Sequence, residues 1–160
     1  MLLDEGKNFT WGDPLLKWCV EVARGMTYLH NKSFFDVRNN TQVDGIIHRD
    51  LKPGNCLVSE GYTIKIADFG EARAVKEEAT MTQVGTPLYI APEVVRGDYY
   101  GKSADVFSFA MTVAQFGLRG RTRLVVQLHQ WLKFAQGKEN DPRPLSLGRI
   151  THNIAVTAWR

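Results

Sequence analysis

The sequence predicts a mainly helical domain that carries one short β-hairpin. Apolar residues recur at three- and four-residue steps in 13–30 and 103–116, which is the spacing of one buried helix face. Between these stretches, two short runs at 56–58 and 64–66 flank a polar turn, as the strands of a hairpin do. A third helical pattern spans 124–135.

Length and charge set the broad class of the protein. With 160 residues, 44% of them hydrophobic and 23% charged, the chain can form one globular domain. Residues 1–118 hold 12 basic and 15 acidic side chains, a balance of −3, and residues 119–160 hold 8 and 2, a balance of +6. No nucleic-acid-binding motif accompanies the basic end, so we expect no nucleic-acid partner.

Cysteine usage and hydropathy indicate the compartment. Cys19 and Cys56 are too few for a disulfide framework and suit buried thiols in a reducing compartment. The N-terminus has no basic region followed by an apolar run, and the most apolar stretch, 106–118, is too short to span a bilayer. We therefore expect a soluble cytoplasmic protein without a membrane partner.

The first helix has a start signal and an apolar stripe. Asp13 is predicted to cap it, with Pro14 at the first helical position and an end near His30. Its stripe consists of Leu15, Trp18, Cys19, Val22, Met26 and Leu29.

The remaining segments are assigned in chain order. Residues 31–44 are polar and aperiodic and predict a surface loop, and Ile46-Ile47 predicts a short buried strand. Residues 71–84 are expected to form a mobile loop, and two prolines exclude a continuous helix over 85–93. The apolar stripe of the helix over 103–116 is predicted to be Val106, Phe109, Ala110, Val113 and Ala114.

The stretch His48-Arg49-Asp50-Leu51-Lys52-Pro53-Gly54-Asn55 concentrates the chemistry. An acid, a cation and an amide lie within eight residues, a spacing suited to work on a phosphate. Asp68-Phe69-Gly70 and Ala91-Pro92-Glu93 follow in order. Together the three motifs resemble those of a protein-kinase domain. The resemblance covers residues 1–117 well and the divergent basic part, 118–160, poorly.

Lys52, two residues after Asp50, and the run Gly85-Thr86-Pro87 are typical of serine/threonine kinases. The runs Tyr28-Leu29-His30 and Ile47-His48-Arg49-Asp50 are similar to the tyrosine-kinase-like group of these kinases. The resemblance implies that Asp50 is the catalytic base and that Lys52 touches the transferring phosphate of ATP. It also implies that Asn55 and Asp68 hold Mg²⁺ and that Leu57 floors the adenine pocket.

Further roles follow from the same resemblance. Thr86 is expected to dock the substrate and to touch both Asp50 and Lys52. Arg49 is expected to be regulatory and to pair with a phosphate on Thr80 or Thr82. The resemblance also implies that His48 stacks on Phe69, and that Asp105 hydrogen-bonds the catalytic-loop backbone.

The chain also departs from the family pattern. No G-x-G-x-x-G occurs, and too few residues precede residue 13 to form a small sheet lobe. We expect residues 1–160 to be a partial kinase domain, the large C-terminal lobe truncated at both ends and without the N-lobe. The implied function is transfer of the ATP γ-phosphate to Ser or Thr of a protein substrate, by a fragment inactive alone. A non-catalytic docking or regulatory fragment and a truncated gene model remain alternatives.

Overall fold

The computed structural model describes residues 13–37, 40–75 and 84–118. Its helices are α1 (Leu15–His30), α2 (Pro92–Arg96) and α3 (Lys102–Gly117), with a 3₁₀ helix at Pro53–Asn55. Its strands are β1 (Ser33–Asp36), β2 (Thr41–Asp44), β3 (Ile46–Ile47), β4 (Cys56–Val58), β5 (Ile64–Ile66) and β6 (Arg73–Ala74). Residues 48–55, which contain the 3₁₀ helix, lie between β3 and β4 and are called the catalytic segment after the role that the resemblance implies.

Helix α1 is the centre of the main core. The predicted stripe is buried except for Leu29, which is partly buried, and Trp18 and Val22 are each 1% exposed. The helix ends at His30 as expected. The predicted start was wrong by one residue. Pro14 occupies the N-cap position rather than the first helical position, and its carbonyl accepts the Trp18 amide at 2.9 Å.

Helix α3 and one hairpin pack on α1 and close this core. The Trp18 ring meets the Phe116 ring of α3 edge-on, with centroids 6.2 Å apart. The hairpin of β4 and β5 confirms the sequence prediction. It is fixed to α1 because Trp18 Nε1 donates to the Tyr62 carbonyl at 2.8 Å, and the Ile64 amide donates to Glu21 Oε2 at 2.8 Å.

The predicted surface loop over 31–44 is wrong. β1 and β2 pair antiparallel in this stretch, with Phe34 opposite Val43. Val43 is 3% exposed, so one apolar residue in the second strand provides the burial. The sequence pattern missed the hairpin because strands this short carry too few apolar residues for alternation to be visible.

Antiparallel pairing is more extensive than the single predicted hairpin. β3 pairs with β6, and Ile47, opposite Arg73, is fully buried. β6 lies inside the predicted mobile loop over 71–84, so that prediction is wrong for residues 73–74. The described part of the chain therefore contains three two-stranded sheets.

Helix α3 confirms the predicted position and part of the predicted face, since Phe109 and Val113 are partly buried against the main core. Val106, placed on the apolar stripe, is 60% exposed, and Ala110 is also exposed. The buried residues of α3 are Ala104, Asp105, Ser108, Met111, Thr112, Gln115 and Phe116. Polar side chains therefore make up much of the buried face.

A second apolar cluster joins β3, α2 and α3. Its buried members are Ile47, Ala91, Val94, Tyr100 and Ala104.

No helix in the described ranges is long and apolar enough to cross a membrane. The helix predicted over 124–135 and the basic end of the chain lie outside the described residues.

Candidate active site

The catalytic segment, residues 48–55, is anchored at its start by α3. The backbone amides of His48 and Arg49 donate to Asp105 Oδ2 and Oδ1, each at 2.8 Å. His30 Nε2 lies 2.8 Å from Asp105 Oδ2. Asp105 is 1% exposed, so these hydrogen bonds compensate a carboxylate that would otherwise be costly to bury. The expected contact between Asp105 and the loop backbone is confirmed.

Asp50 is the centre of a closed hydrogen-bond network. Lys52 Nζ lies 2.6 Å from Asp50 Oδ2, and Thr86 Oγ1 donates to Asp50 Oδ1 at 2.8 Å. Lys52 Nζ also donates to Thr86 Oγ1 at 2.7 Å. Asn55 Nδ2 donates to Asp50 Oδ2 at 3.2 Å. The structure thus brings together four of the residues that the sequence singled out.

This network lowers the pKa of Asp50. Partial burial acts to raise the pKa of the carboxyl, but hydrogen bonds from Lys52, Thr86 and Asn55 and the charge of Lys52 outweigh it. The pKa of Asp50 is therefore lowered below its ordinary value, and the group is a carboxylate at neutral pH.

Asn55 links the catalytic segment to the run at 68–70. Its Nδ2 donates to the Asp50 carbonyl at 2.9 Å, and its carbonyl accepts the Ala67 amide at 2.9 Å. Because both side-chain bonds of Asn55 to Asp50 use the nitrogen, Oδ1 remains the atom suited to a cation. Asp68 follows Ala67, with φ of 63° and an exposed side chain.

The donor set fits magnesium in type. Asn55 Oδ1 and the Asp68 carboxylate are hard oxygen ligands, which Mg²⁺ prefers, and Mg²⁺ usually completes its shell with water and phosphate. No group of three or more His, Cys, Asp or Glu residues suited to a metal occurs in the described ranges. Any magnesium at these two residues would therefore need ligands from a bound nucleotide or water.

Aromatic and apolar side chains lie beside this polar network. The His48 and Phe69 ring centroids are 5.2 Å apart, so the expected stacking partners are in contact. His48 is fully buried, whereas Phe69 is 47% exposed. Leu57 on β4 is 59% exposed, which leaves its surface accessible to a ligand or to another part of the protein.

Arg49 lies within the fold rather than on its surface. Its side chain is 2% exposed, Nη1 donates to the Tyr100 hydroxyl at 3.1 Å, and Nη2 lies 3.5 Å from Glu71 Oε2. Thr80 and Thr82, the predicted phosphate acceptors for Arg49, lie outside the described residues.

Three residues in these contacts were not assigned a role from the sequence: His30, Glu71 and Tyr100. His30 lies 75 positions before Asp105, and Tyr100 lies 51 positions after Arg49, so no local spacing connects either pair. The position of Glu71 could have indicated a role from the sequence, because it directly follows the Asp68-Phe69-Gly70 run.

The two thiols are not part of the site chemistry. Burial raises the pKa of Cys19 to about 11 and that of Cys56 to about 12. Both cysteines are free and remain protonated at neutral pH, which disfavours a role as nucleophiles.

Comparison with known proteins identifies the arrangement. A family model described as protein kinase domain matches residues 4–130. The Dictyostelium discoideum serine/threonine-protein kinase drkA is 36% identical over 91% of this chain and 21% of its own length. A serine/threonine-protein kinase/receptor of Acanthamoeba polyphaga mimivirus is 44% identical over 62% of this chain and 6% of its own length. The chain thus spans about a fifth or less of these curated relatives.

Proposed function

Because this chain belongs to the protein kinase family, we propose that it is the large-lobe part of a serine/threonine kinase. The proposed reaction transfers the γ-phosphate of ATP to a Ser or Thr hydroxyl of a protein substrate. The observation that carries the proposal is the network in which Asp50 accepts from Lys52, Thr86 and Asn55. Phosphoryl transfer depends mainly on positioning and charge neutralisation, and this network supplies part of both.

Asp50 is proposed to orient the attacking hydroxyl. Its lowered pKa keeps it a hydrogen-bond acceptor over the physiological pH range, so it can align the substrate oxygen before transfer. Because its pKa is lowered, the Asp50 carboxylate is a weaker base than an ordinary aspartate. This suits a step in which the proton leaves the hydroxyl late, after the bond to phosphorus has begun to form.

Lys52 and Thr86 are proposed to prepare the acceptor side of the site. Lys52 Nζ bonds both Asp50 Oδ2 and Thr86 Oγ1, at 2.6 and 2.7 Å. A cation held beside the base can stabilise negative charge on the transferring phosphoryl group. Thr86 fixes the 85–87 segment, against which a substrate peptide would lie, onto the catalytic segment.

Asn55 and Asp68 are proposed to hold Mg²⁺ together with the phosphates of ATP. When bound, the ion neutralises phosphate charge and orients the nucleotide. Asn55 is fixed by its two bonds to Asp50, whereas Asp68 is exposed. Leu57 is proposed as the floor of the adenine site, which its exposure permits.

The 160-residue chain by itself is proposed to be catalytically incompetent, because it carries no Gly-rich phosphate loop. Isothermal titration of the chain with Mg-ATP tests this statement. We expect binding weaker than micromolar, reduced further in Asp68→Asn. A micromolar dissociation constant would contradict the proposed incompetence.

A chimera tests the reaction itself. The N-terminal lobe of a serine/threonine kinase, which carries the Gly-rich loop, would be fused ahead of this chain and assayed with Mg-ATP and Ser/Thr peptides. We expect phosphate transfer that Asp50→Asn lowers by about 10²–10⁴-fold, as loss of a positioned proton acceptor does. Asp98→Asn, at an exposed residue, is the matched control. A folded chimera in which Asp50→Asn leaves the rate unchanged would contradict the role of Asp50.

A non-catalytic docking fragment is the second candidate function. It is favoured by the exposure of Leu57 and Phe69, apolar side chains at 59% and 47% that another polypeptide could cover. It predicts stable protein binding without Mg-ATP binding.

We also propose a reducing, cytoplasmic location on the basis of two free, buried cysteines.

A further inference from the structure

Strand β1 has an outer edge that no other described strand covers. Within the described ranges, β1 and β2 form a two-stranded sheet to which no third strand is added. Two strands alone are only marginally stable in water, and an exposed strand edge is a template for pairing with another chain. The outer edge of β1 is therefore a candidate interaction surface.

The exposed side chains of β1 and its end are mostly apolar, unlike those of β2. Phe34, Phe35 and Val37 are 37%, 55% and 81% exposed. The exposed residues of β2 are Thr41, Gln42 and Asp44. Aromatic side chains are enriched at protein interfaces relative to the rest of the surface. This difference favours β1 over β2 as the strand that a partner covers.

The hydrogen bonds of the hairpin show which backbone groups face the outer edge. The Gly45 amide donates to the Lys32 carbonyl at 3.1 Å. Hydrogen-bonded and non-hydrogen-bonded pairs alternate along an antiparallel ladder, so Phe34 is a hydrogen-bonded position in the pairing with β2. The backbone N–H and C=O groups of Ser33 and Phe35 therefore point away from β2 and can pair with another strand.

The charges at the two ends of β1 indicate the partner. Lys32 directly precedes the strand, and Asp36 is its last residue. When a second β1 pairs antiparallel with Ser33 opposite Phe35, Lys32 of each copy lies opposite Asp36 of the other, and opposite charges at such positions are favourable. We propose that β1 is a dimerisation edge, which pairs antiparallel with β1 of a second copy of this chain.

Charge selects this register among those that the backbone allows. The outward groups would also permit Ser33 opposite Ser33, which places Lys32 opposite Phe34. Phe35 opposite Phe35 places Phe34 opposite Asp36. Neither of these registers matches opposite charges. In the proposed register the two-fold axis passes between the two Phe34 residues, which form a closely spaced aromatic pair.

The proposed interface lies next to the catalytic segment in the fold. Gly45 alone separates β2 from β3, and its carbonyl accepts the Val75 amide at 3.0 Å. β3 then leads into residues 48–55. The inference does not depend on the proposed phosphoryl transfer, because Ser33, Phe35 and their charged neighbours lie outside the network around Asp50.

Sedimentation velocity of the 160-residue chain over a concentration series tests the proposal. We expect a monomer–dimer equilibrium with a dissociation constant of about 10–100 μM, since a single strand edge is a small interface. Ser33→Pro removes a backbone donor from the outer edge and none from the ladder with β2, so it should weaken the dimer about tenfold. Ser33→Ala keeps this donor and is the matched control, expected to dimerise like the unmodified chain. An unmodified chain that stays monomeric at about 1 mM would overturn the proposal.

A mixing experiment tests the register. Lys32→Asp and Asp36→Lys each bring like charges opposite one another, so either variant alone should dimerise about tenfold more weakly than the unmodified chain. In an equal mixture of the two, opposite charges meet at both pairs, and a heterodimer should form with about the affinity of the unmodified chain. A pairing of charges within one chain could not produce this recovery.

If the mixture associates no better than the separate folded variants, the proposed pairing is wrong. Circular dichroism checks that each variant is folded. Should Lys32→Asp or Asp36→Lys fail to fold, the serine variants decide, because equal association of Ser33→Pro and Ser33→Ala would also overturn the proposal. Mg-ATP is absent from these measurements, so either outcome leaves the proposed phosphoryl transfer to its own test.

Discussion

Residues 48–55 and residues 68–70 contact each other through the rings of His48 and Phe69, but their side chains differ in burial. In the first stretch, His48 and Leu51 are fully buried, and Asp105 accepts hydrogen bonds from the backbone amides of His48 and Arg49. In the second, the side chains of Asp68 and Phe69, on the proposed nucleotide side, are exposed. Residues 48–55, which are proposed to orient the acceptor hydroxyl, are thus preorganised by contacts with other described residues.

This difference arises because the hydrogen-bond partners of residues 48–55 are remote in sequence, whereas that of the Asp68 side chain is local. Residues 48–55 form hydrogen bonds with side chains from remote elements. Asp105 comes from α3, and Thr86 comes from the 84–90 segment. The side-chain bond of the Asp68 run is local, from the Gly70 amide to Asp68 Oδ1 at 3.3 Å. The Asp68 carboxylate is therefore oriented by a bond within its own turn, although Ala67 and Phe69 on either side of it contact residues 48–55.

The largest expected effect is from Asp105→Ala, which removes the hydrogen bonds between α3 and the start of the 48–55 segment. It leaves two buried backbone amides and His30 without their acceptor, at a cost of about 3–5 kcal/mol in unfolding free energy. Urea denaturation measures the change. Asp98→Asn, at an exposed ion pair with Arg96, should change stability by about 1 kcal/mol or less. Equal losses in both variants would contradict the anchoring role of Asp105.

A pair of leucine truncations sharpens the contrast. Leu51 is fully buried and Leu57 is 59% exposed, although they lie six positions apart. Leu51→Ala should cost about 2–5 kcal/mol through lost burial and a residual cavity. Leu57→Ala should stay within about 0.5 kcal/mol in the same denaturation assay. A large loss of unfolding free energy in Leu57→Ala would contradict the exposed position of this side chain.

The His48–Phe69 contact joins the two stretches and should have a smaller effect. Phe69→Ala removes one ring of the 5.2 Å pair, worth about 0.5–1.5 kcal/mol. Phe69→Leu is the control, since it keeps apolar volume and loses only the aromatic contact. Thermal unfolding of the two variants compares them; identical midpoints would show that the ring contact itself contributes nothing.

The smallest expected effect is the acid response of Asp50. The pKa of Asp50 in the folded chain lies below its ordinary 3.8, so the carboxylate stabilises the fold above that pH. This contribution is lost as the pH falls through the folded-state pKa. Between pH 7 and 3, unfolding free energy should therefore decline less in Asp50→Asn than in the unmodified chain. Parallel pH profiles would contradict the network around Asp50.

Much of the site could be predicted because its residues are close in sequence. Lys52 and Asn55 lie within five positions of Asp50, so a local pattern indicated their shared chemistry. The pattern did not indicate Glu71 or Tyr100, whose contacts with Arg49 arise when the chain after Gly70 and the loop before α3 converge. The hairpin of β1 and β2 was missed because Val43 alone marks its buried face.

Helix α3 separates most clearly what the sequence by itself determined from what only tertiary structure decided. The sequence determined that 103–116 is helical and that the catalytic motifs occur in order, since both depend on local spacing. It did not determine which face of α3 is buried. Ser108 Oγ donates to the Tyr89 carbonyl at 2.7 Å, and the Tyr89 hydroxyl donates to Gln115. A polar side chain can be buried when a remote partner satisfies it, and only the folded chain supplies that partner.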